Sequence, residues 1–329
     1  MSTMTSAWTA QSLVHTMAEA ARWAPSIHNT QPWRFTALED GLLVAEDPAR
    51  ALPRLDPRGR LRTISCGAAV CNAEVALAAQ GVQPHITLLP PEHPEALAVV
   101  RIGRAHHASR EEQRLAEAVG VRRAHRRLHR TGGVAPDVLA ELMTGRTGSS
   151  GPVRLTPADD AARHHLASLL VEALREQTAD QALVEEVELW LRSRDARSAS
   201  GDGIPVESLG TGPYPVDSLA HEHTDAAAIS TDDVEELLSS SAVVAISTRG
   251  DTTGDWLAAG RALERLWLHV TALGLVLTFA DQATQSPRTR PQLADVFDVL
   301  GHVQLVVRLG SPLVEVPATP RRPLEELIS

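Results

Sequence analysis

The chain has 329 residues, 43% of them hydrophobic, with a formal net charge of −10 at pH 7 and a pI near 5.8. This length allows one large domain or two ordinary ones, and the acidity argues against binding nucleic acid through a general basic surface. Lysine is absent, which removes the Schiff-base residue of pyridoxal phosphate chemistry and the cation of a Walker-type phosphate loop. Arg must make every such contact, and its planar fork suits bidentate phosphate binding.

With 6 Trp, 3 Phe and 1 Tyr, the interior must be filled by Ala, Leu and Val. Cys66 and Cys71 lie in one helical stretch, a poor arrangement for a disulfide or a metal site, and read as small core residues in a reducing compartment. The N-terminus shows no basic stretch followed by an apolar run. No segment approaches the roughly 18 uninterrupted apolar residues of a membrane span. A cytoplasmic protein is expected.

In chain order, Ser12 to Trp23 carries Leu13, Met17, Ala20 and Ala21 at helical spacing, and Pro25 closes that helix. Ser26, His28, Asn29 and Gln31 then cluster ahead of a strand at Arg34-Phe35-Thr36. By residue types alone, this is either a helix stop and turn or one wall of a ligand pocket. Leu42 to Ala45 reads as a strand, Asp47 to Arg62 as a Pro- and Arg-rich connection, and Thr63 to Gln80 as a helix closed by Gly81. Apolar residues lie all round this helix, which predicts burial. Strands are expected at Ile86 to Leu89 and Leu97 to Ile102.

Glu112 to Val119 reads as a helix leading into a basic run to Arg130. Leu155 to Arg192 reads as a strand and then helices, and Val243 to Ile246 as a buried strand. Between them, Ser193 to Asp232 is rich in Gly, Pro, Ser, Asp and His. A polar segment of that length is a lid or a disordered stretch. A helix is expected to begin at Gly260, pass through Leu263, Leu266, Trp267, Val270 and Leu273, and end at Gly274.

Gly67 to Gly81 and Gly260 to Gly274 are each fourteen residues apart, and each unit closes on a matching strand, Val99 to Gly103 and Val306 to Gly310. This is an internal duplication rather than a short-period solenoid. Residues 1–110 form the first half and 111–329 the second.

The stretch Pro25-Ser26-Ile27-His28-Asn29-Thr30-Gln31-Pro32-Trp33 fits Pro-Ser-x-x-Asn-x-Gln-Pro-Trp at every defined position, and resembles the flavin-contacting turn of the nitroreductase family of FMN oxidoreductases. Arg123, His125 and Arg127 resemble the family's Arg-x-Ser-x-Arg element, with His125 in place of the hydroxyl residue. The first half keeps the turn and the second the arginines, as in the duplicated single-chain Acg-like subgroup. Ser65-Cys66-Gly67-Ala68-Ala69 and Thr319 to Glu326 also resemble that subgroup.

The resemblance implies an α+β nitroreductase-like fold, internally duplicated into a pseudo-dimer that holds one FMN between its halves, with further self-association open. It implies flavin contacts from Pro25, Ser26, His28, Asn29 and Gln31, and from Thr278, Phe279, Ala280, Asp281 and Gln282 near the reactive edge of the ring. Arg123 and Arg127, with Arg321 or Arg322, are the implied phosphate ligands, and His125 lies between the first two. The segment 193–232 would cover the flavin.

The implied function is two-step hydride transfer from NAD(P)H through FMN to a nitro or quinone-like acceptor, with no catalytic side chain because the cofactor carries the chemistry. Alternatives are a flavin-storing protein with a closed lid, and a flavin-dependent dehydrogenase of natural-product tailoring. Rossmann, P-loop and nucleophile-elbow motifs are missing. His106-His107, His164-His165 and His221-Glu222-His223 lack helical metal-ligand spacing, so no metal is expected.

Overall fold

The computed structural model describes residues 8–144, 151–192, 200–208 and 229–329. It is an α+β protein with two four-stranded antiparallel sheets. Helix α1 (Ala10–Ala21) leads to strands β1 (Trp33–Leu38) and β2 (Gly41–Glu46), helix α2 (Arg60–Ala79), and strands β3 (Val82–Leu88) and β4 (Ala98–Ala105). Helices α3 (Arg110–Val121) and α4 (Pro136–Thr144) follow, then β5 (Val153–Pro157), α5 (Asp160–Ala179), α6 (Gln181–Glu188) and the short parallel pair β6 (Leu191–Arg192) and β7 (Ile204–Pro205). Helix α7 (Thr231–Ser239), strand β8 (Ala242–Thr248), helix α8 (Thr253–Ala272), and strands β9 (Val276–Phe279) and β10 (His302–Gly310) complete the larger elements.

The sheets run β1-β2-β4-β3 and β5-β8-β10-β9. Each set therefore places its first, second, fourth and third strands in that order, with a twenty-residue helix between the second and third. The matched sequences Val99 to Gly103 and Val306 to Gly310 fall on β4 and β10, both interior strands. The two sheets differ in how the first strand reaches the second. A tight hairpin registers Leu38 against Gly41 in one, whereas the chain from α5 to α7 is inserted between β5 and β8 in the other.

Helix α2 is buried on nearly all sides, as its apolar pattern predicted, with Cys66 and Cys71 both reduced and inside. It packs across α8, and the closest approach is made by two glycines. A Cβ on Gly67 would meet the carbonyl oxygen of Leu257, and a Cβ on Gly260 would meet that of Ile64. Each glycine thus meets the residue three before the other, a reciprocal contact of two-fold character. Gly260 does not begin its helix as the sequence suggested. The helix starts two turns earlier, where the Thr252 hydroxyl accepts from Asp255 N and the Asp255 carboxylate accepts from Thr252 N. Gly81 and Gly274 do follow the two helices, with φ of 74° and 72°, the left-handed conformation that favours glycine at a helix end.

The C-terminal tail is strapped to the first sheet. Phe35 N donates to Leu327 O at 2.7 Å, and Ser329 N to Phe35 O at 3.0 Å. This brings residues 319–322 back against the turn that follows α1.

Candidate functional site

The turn after α1 has an unusual backbone. His28, Asn29 and Gln31 have φ of 46°, 54° and 50°, left-handed values that cost a non-glycine residue about 1 kcal/mol or more each. Such a conformation persists only when its surroundings fix it. Gln31 N donates to Ser26 Oγ at 2.9 Å, and Ile27 N to Ser65 Oγ on α2 at 3.2 Å. Asn29 Nδ2 donates to Gly203 O at 2.9 Å and Pro320 O at 3.1 Å, while Asn29 Oδ1 accepts from Arg321 at 3.1 Å. Gln31 Nε2 donates to Gly201 O, and Gln31 Oε1 accepts from Arg322 N, both at 2.9 Å.

The turn forms one wall of a cleft with about 840 Å³ of empty space out to its open mouth. Pro25, Ser26, Ile27 and His28 face Phe279, Asp281, Gln282 and Gln285 of the second sheet unit. Leu61, Ile64, Ser65 and Ala68 of α2 and Leu263 of α8 form the floor, and Arg126, Ile204 and Leu305 complete the lining. Phe279 is held edge-on by Trp267 at 5.4 Å between ring centroids. An apolar floor with polar groups at its rim suits a flat ring bearing hydrogen-bonding edges.

His28 Nε2 is buried and makes no hydrogen bond among the described residues. Burial, reinforced by the nearby Arg126 guanidinium, pulls the His28 pKa down to about 4, so the ring is neutral at pH 7. On the opposite wall, burial pushes the Asp281 carboxyl up to about 6 against the opposing pull of Arg60. Asp281 Oδ1 accepts from Thr284 Oγ1 at 2.7 Å and Val306 N at 3.2 Å. The orphaned histidine nitrogen and the adjacent cation are features that a flavin, with acceptor edges and a phosphate, would fit.

Of the residues expected at the site, the structure brings Pro25, Ser26, His28, Phe279, Asp281 and Gln282 to the wall of the cleft. Asn29 and Gln31 fix the turn from behind. Ala280 is a fully buried strand residue whose N donates to Val306 O at 2.9 Å. Thr278 Oγ1 donates to His125 O at 2.7 Å, and His125 Nε2 to Val314 O at 3.3 Å. Arg123 turns back to the carbonyls of Gly120 and Arg122. Arg321 is half-buried over the Trp23 ring at 5.6 Å and donates to the carbonyls of Trp23 and Ala24. Arg322 pairs with Glu326 at 3.2 Å. Arg127 lies beside the cleft-lining Arg126 but does not itself line the wall.

Arg126 is the cleft arginine that sequence reasoning missed, although it lies within the basic run already singled out. Residues 122–130 form no helix, and Arg122, His125 and His129 turn inward. Arg122 is fully engaged in the core, 3.2 Å from Glu264 and 4.5 Å from the Trp267 ring centroid. Of the segment expected to act as a lid, residues 193–199 and 209–228 lie outside the described residues, and so do Gly145 to Ser150 and His221-Glu222-His223. Its described part reaches the site, where Ile204 lines the cleft and Gly201 and Gly203 bind the turn. Among the described residues no cluster of potential ligands could hold a metal, and no helix is long and apolar enough to cross a membrane.

No family model matches the chain. It is 29% identical over 324 residues, 96% of its length and 90% of the relative's, to a Mycobacterium tuberculosis protein named "Putative NAD(P)H nitroreductase Rv3131". It is 28% identical to the same organism's nitroreductase-named protein acg, over 96% of this chain and 95% of the relative. Among solved structures, the FMN-dependent nitroreductase NfnB from Mycobacterium smegmatis in complex with NADPH aligns with 65% of this chain and 96% of its own, at 18% identity and a TM-score of 0.41.

Proposed function

Because the chain is a nitroreductase-family protein of the Acg-like kind, we propose that it is an oxidoreductase that holds one FMN in the cleft between its two sheet units, taking electrons from NAD(P)H for a nitro or quinone-like acceptor. The observation that carries this reading is the strained turn. Three left-handed residues within four positions, His28, Asn29 and Gln31, hold Ser26 and His28 against a cleft whose other wall comes from the second unit. Strain of that kind marks sites where position matters more than local stability.

Bound FMN would supply the hydride chemistry. The chain's residues would position it: Leu61, Ile64, Ala68 and Leu263 exclude water beneath the ring, and Ser26 and neutral His28 offer hydrogen-bonding groups to its polar edge. Arg126 supplies positive charge for the phosphate, with Arg127 behind it. Asn29, Gln31, Arg321 and Arg322 act by fixing the turn. The halves 1–110 and 111–329 each contribute one wall, which is why one chain would make one site. A cytoplasmic location suits a nicotinamide-dependent activity.

Purified protein should show flavin absorbance that bleaches when NADPH or NADH is added without oxygen. Flavin bands that persist with both donors would reject the reductase. Ile204 gives the storage alternative a specific footing, since it lines the cleft from the segment expected to cover it. Persistent bands would favour that alternative.

A further inference from the structure

A second cleft adjoins the first, with about 1200 Å³ of empty space and with Leu61 and Gln285 in both linings. Its chemistry is different. Arg58, Arg60 and Arg290 line it together with Asp56 and Asp251. Both carboxylates are already engaged. Asp56 caps α2 by accepting from Leu61 N at 3.1 Å and Arg62 N at 2.8 Å. Asp251 accepts from Arg58 at 3.0 Å, from Arg290 at 2.6 Å, from the Trp256 indole at 2.7 Å and from Gln304 at 3.2 Å.

The three guanidinium groups are not equally committed. Arg60 is buried and donates to the carbonyls of Gln304 and Thr284, and Arg290 is turned to Asp251 and Gln304. Arg58 is 62% exposed at its side chain, pairs with Asp251 at 3.0 Å, and rests 5.3 Å from the Trp256 ring centroid. One ion pair and one aromatic face thus hold the guanidinium of a cleft-lining side chain that is otherwise largely exposed. A prepositioned Arg fork beside a net positive wall selects an oxyanion.

The shared wall supplies the second half of the argument. A molecule with its ring in the first cleft can pass Leu61 and Gln285 and place its far end in the second. Resting on the flavin reading above, we propose that the second cleft is an oxyanion subsite, with Arg58 as its principal ligand, for the 2′-phosphate end of a nicotinamide dinucleotide donor. The chain therefore uses NADPH in preference to NADH.

The direct test is calorimetric titration of the full chain with adenosine 2′,5′-bisphosphate and with adenosine. Arg58→Ala should weaken the bisphosphate about tenfold or more, the loss expected for one charge-assisted contact, and leave adenosine unchanged. Wild-type protein that does not bind the bisphosphate, or a variant that binds it equally well, would overturn the subsite. A colourless protein that still bound the bisphosphate through Arg58 would remove the flavin reading and leave the oxyanion subsite standing. In turnover, Arg58→Ala should reduce the preference for NADPH over NADH about tenfold. A loss confined to 4-nitrobenzoate relative to nitrobenzene would give the anion to the acceptor and overturn its assignment to the donor.

Discussion

The crossing of α2 and α8 has two related faces, and the cleft opens on one of them. Matching residues outward from Gly67 and Gly260 shows what differs. Ala68, the small residue after Gly67, lines the cleft, but Arg261 follows Gly260 and donates to Glu74 at 2.8 Å, with Arg265 on the other Glu74 oxygen at 2.7 Å. Beyond the paired glycines Gly81 and Gly274, the polar Asp281 and Gln282 correspond to Leu88 and Leu89. The backbone plan is repeated while the side chains that would make a second site are replaced. A repeated architecture can thus keep its symmetry in the core and lose it at the surface where a ligand would bind.

The largest effect should come from breaking the symmetric contact itself. Gly260→Val places a Cβ against the Ile64 carbonyl and should destabilise the chain by more than about 3 kcal/mol, enough to prevent folding in many domains. Thermal unfolding would check this beside Gly254→Ala in the same helix, where the nearest atoms are 3.8 Å from the new Cβ. A Gly260→Val protein as stable as wild type would show that the crossing is loose.

Next in size is the titration of a carboxyl on the cleft face. Burial raises the Asp281 pKa from 3.8 to about 6, so the folded state holds the proton more tightly than the unfolded chain. Its penalty is absent below about pH 3.8, grows between that value and pH 6, and stays constant above, reaching about 3 kcal/mol. Asp281→Asn keeps an acceptor for Thr284 and Val306 and should stabilise the protein at pH 7 but not at pH 3.5. Urea melts at both pH values would show it, and an equal change at both would remove the titration from the account.

Two smaller effects concern ligand binding. Ala68→Leu narrows the cleft towards the blocked condition of the other face, and should weaken FMN about a hundredfold, roughly 2.7 kcal/mol, with circular dichroism unchanged. Arg126→Ala should weaken FMN about tenfold and Arg123→Ala less than twofold, because Arg126 alone of the two lines the cleft. Fluorescence titration with FMN compares them, and the reverse order would return the phosphate contact to Arg123.

Much of the frame was legible because local chemistry dictates it. The all-round apolar pattern of α2, the left-handed glycines after both long helices and the two matching β-strands each have short-range causes. The start of α8 was legible too, in the capping pair Thr252 and Asp255, but the glycine drew attention away from it. The direction of side chains in irregular segments was not. In the basic run, burial of Arg122, His125 and His129 decides which arginine remains for the cleft, and that depends on distant partners such as Glu264 and Val314. Asn29 and Gln31 likewise satisfy carbonyl and amide groups more than 150 residues away. The floor residues Leu61, Ile64 and Leu263 read as core because a cleft floor and a core share the same composition.

The central claim, that one face of the crossing makes a site and the other does not, is tested most directly by counting flavin. Protein saturated with FMN, freed of excess and assayed for both absorbance and polypeptide, should contain one FMN per chain. Two per chain would mean that both faces bind, and none after reconstitution would mean that the strained turn serves some other ligand.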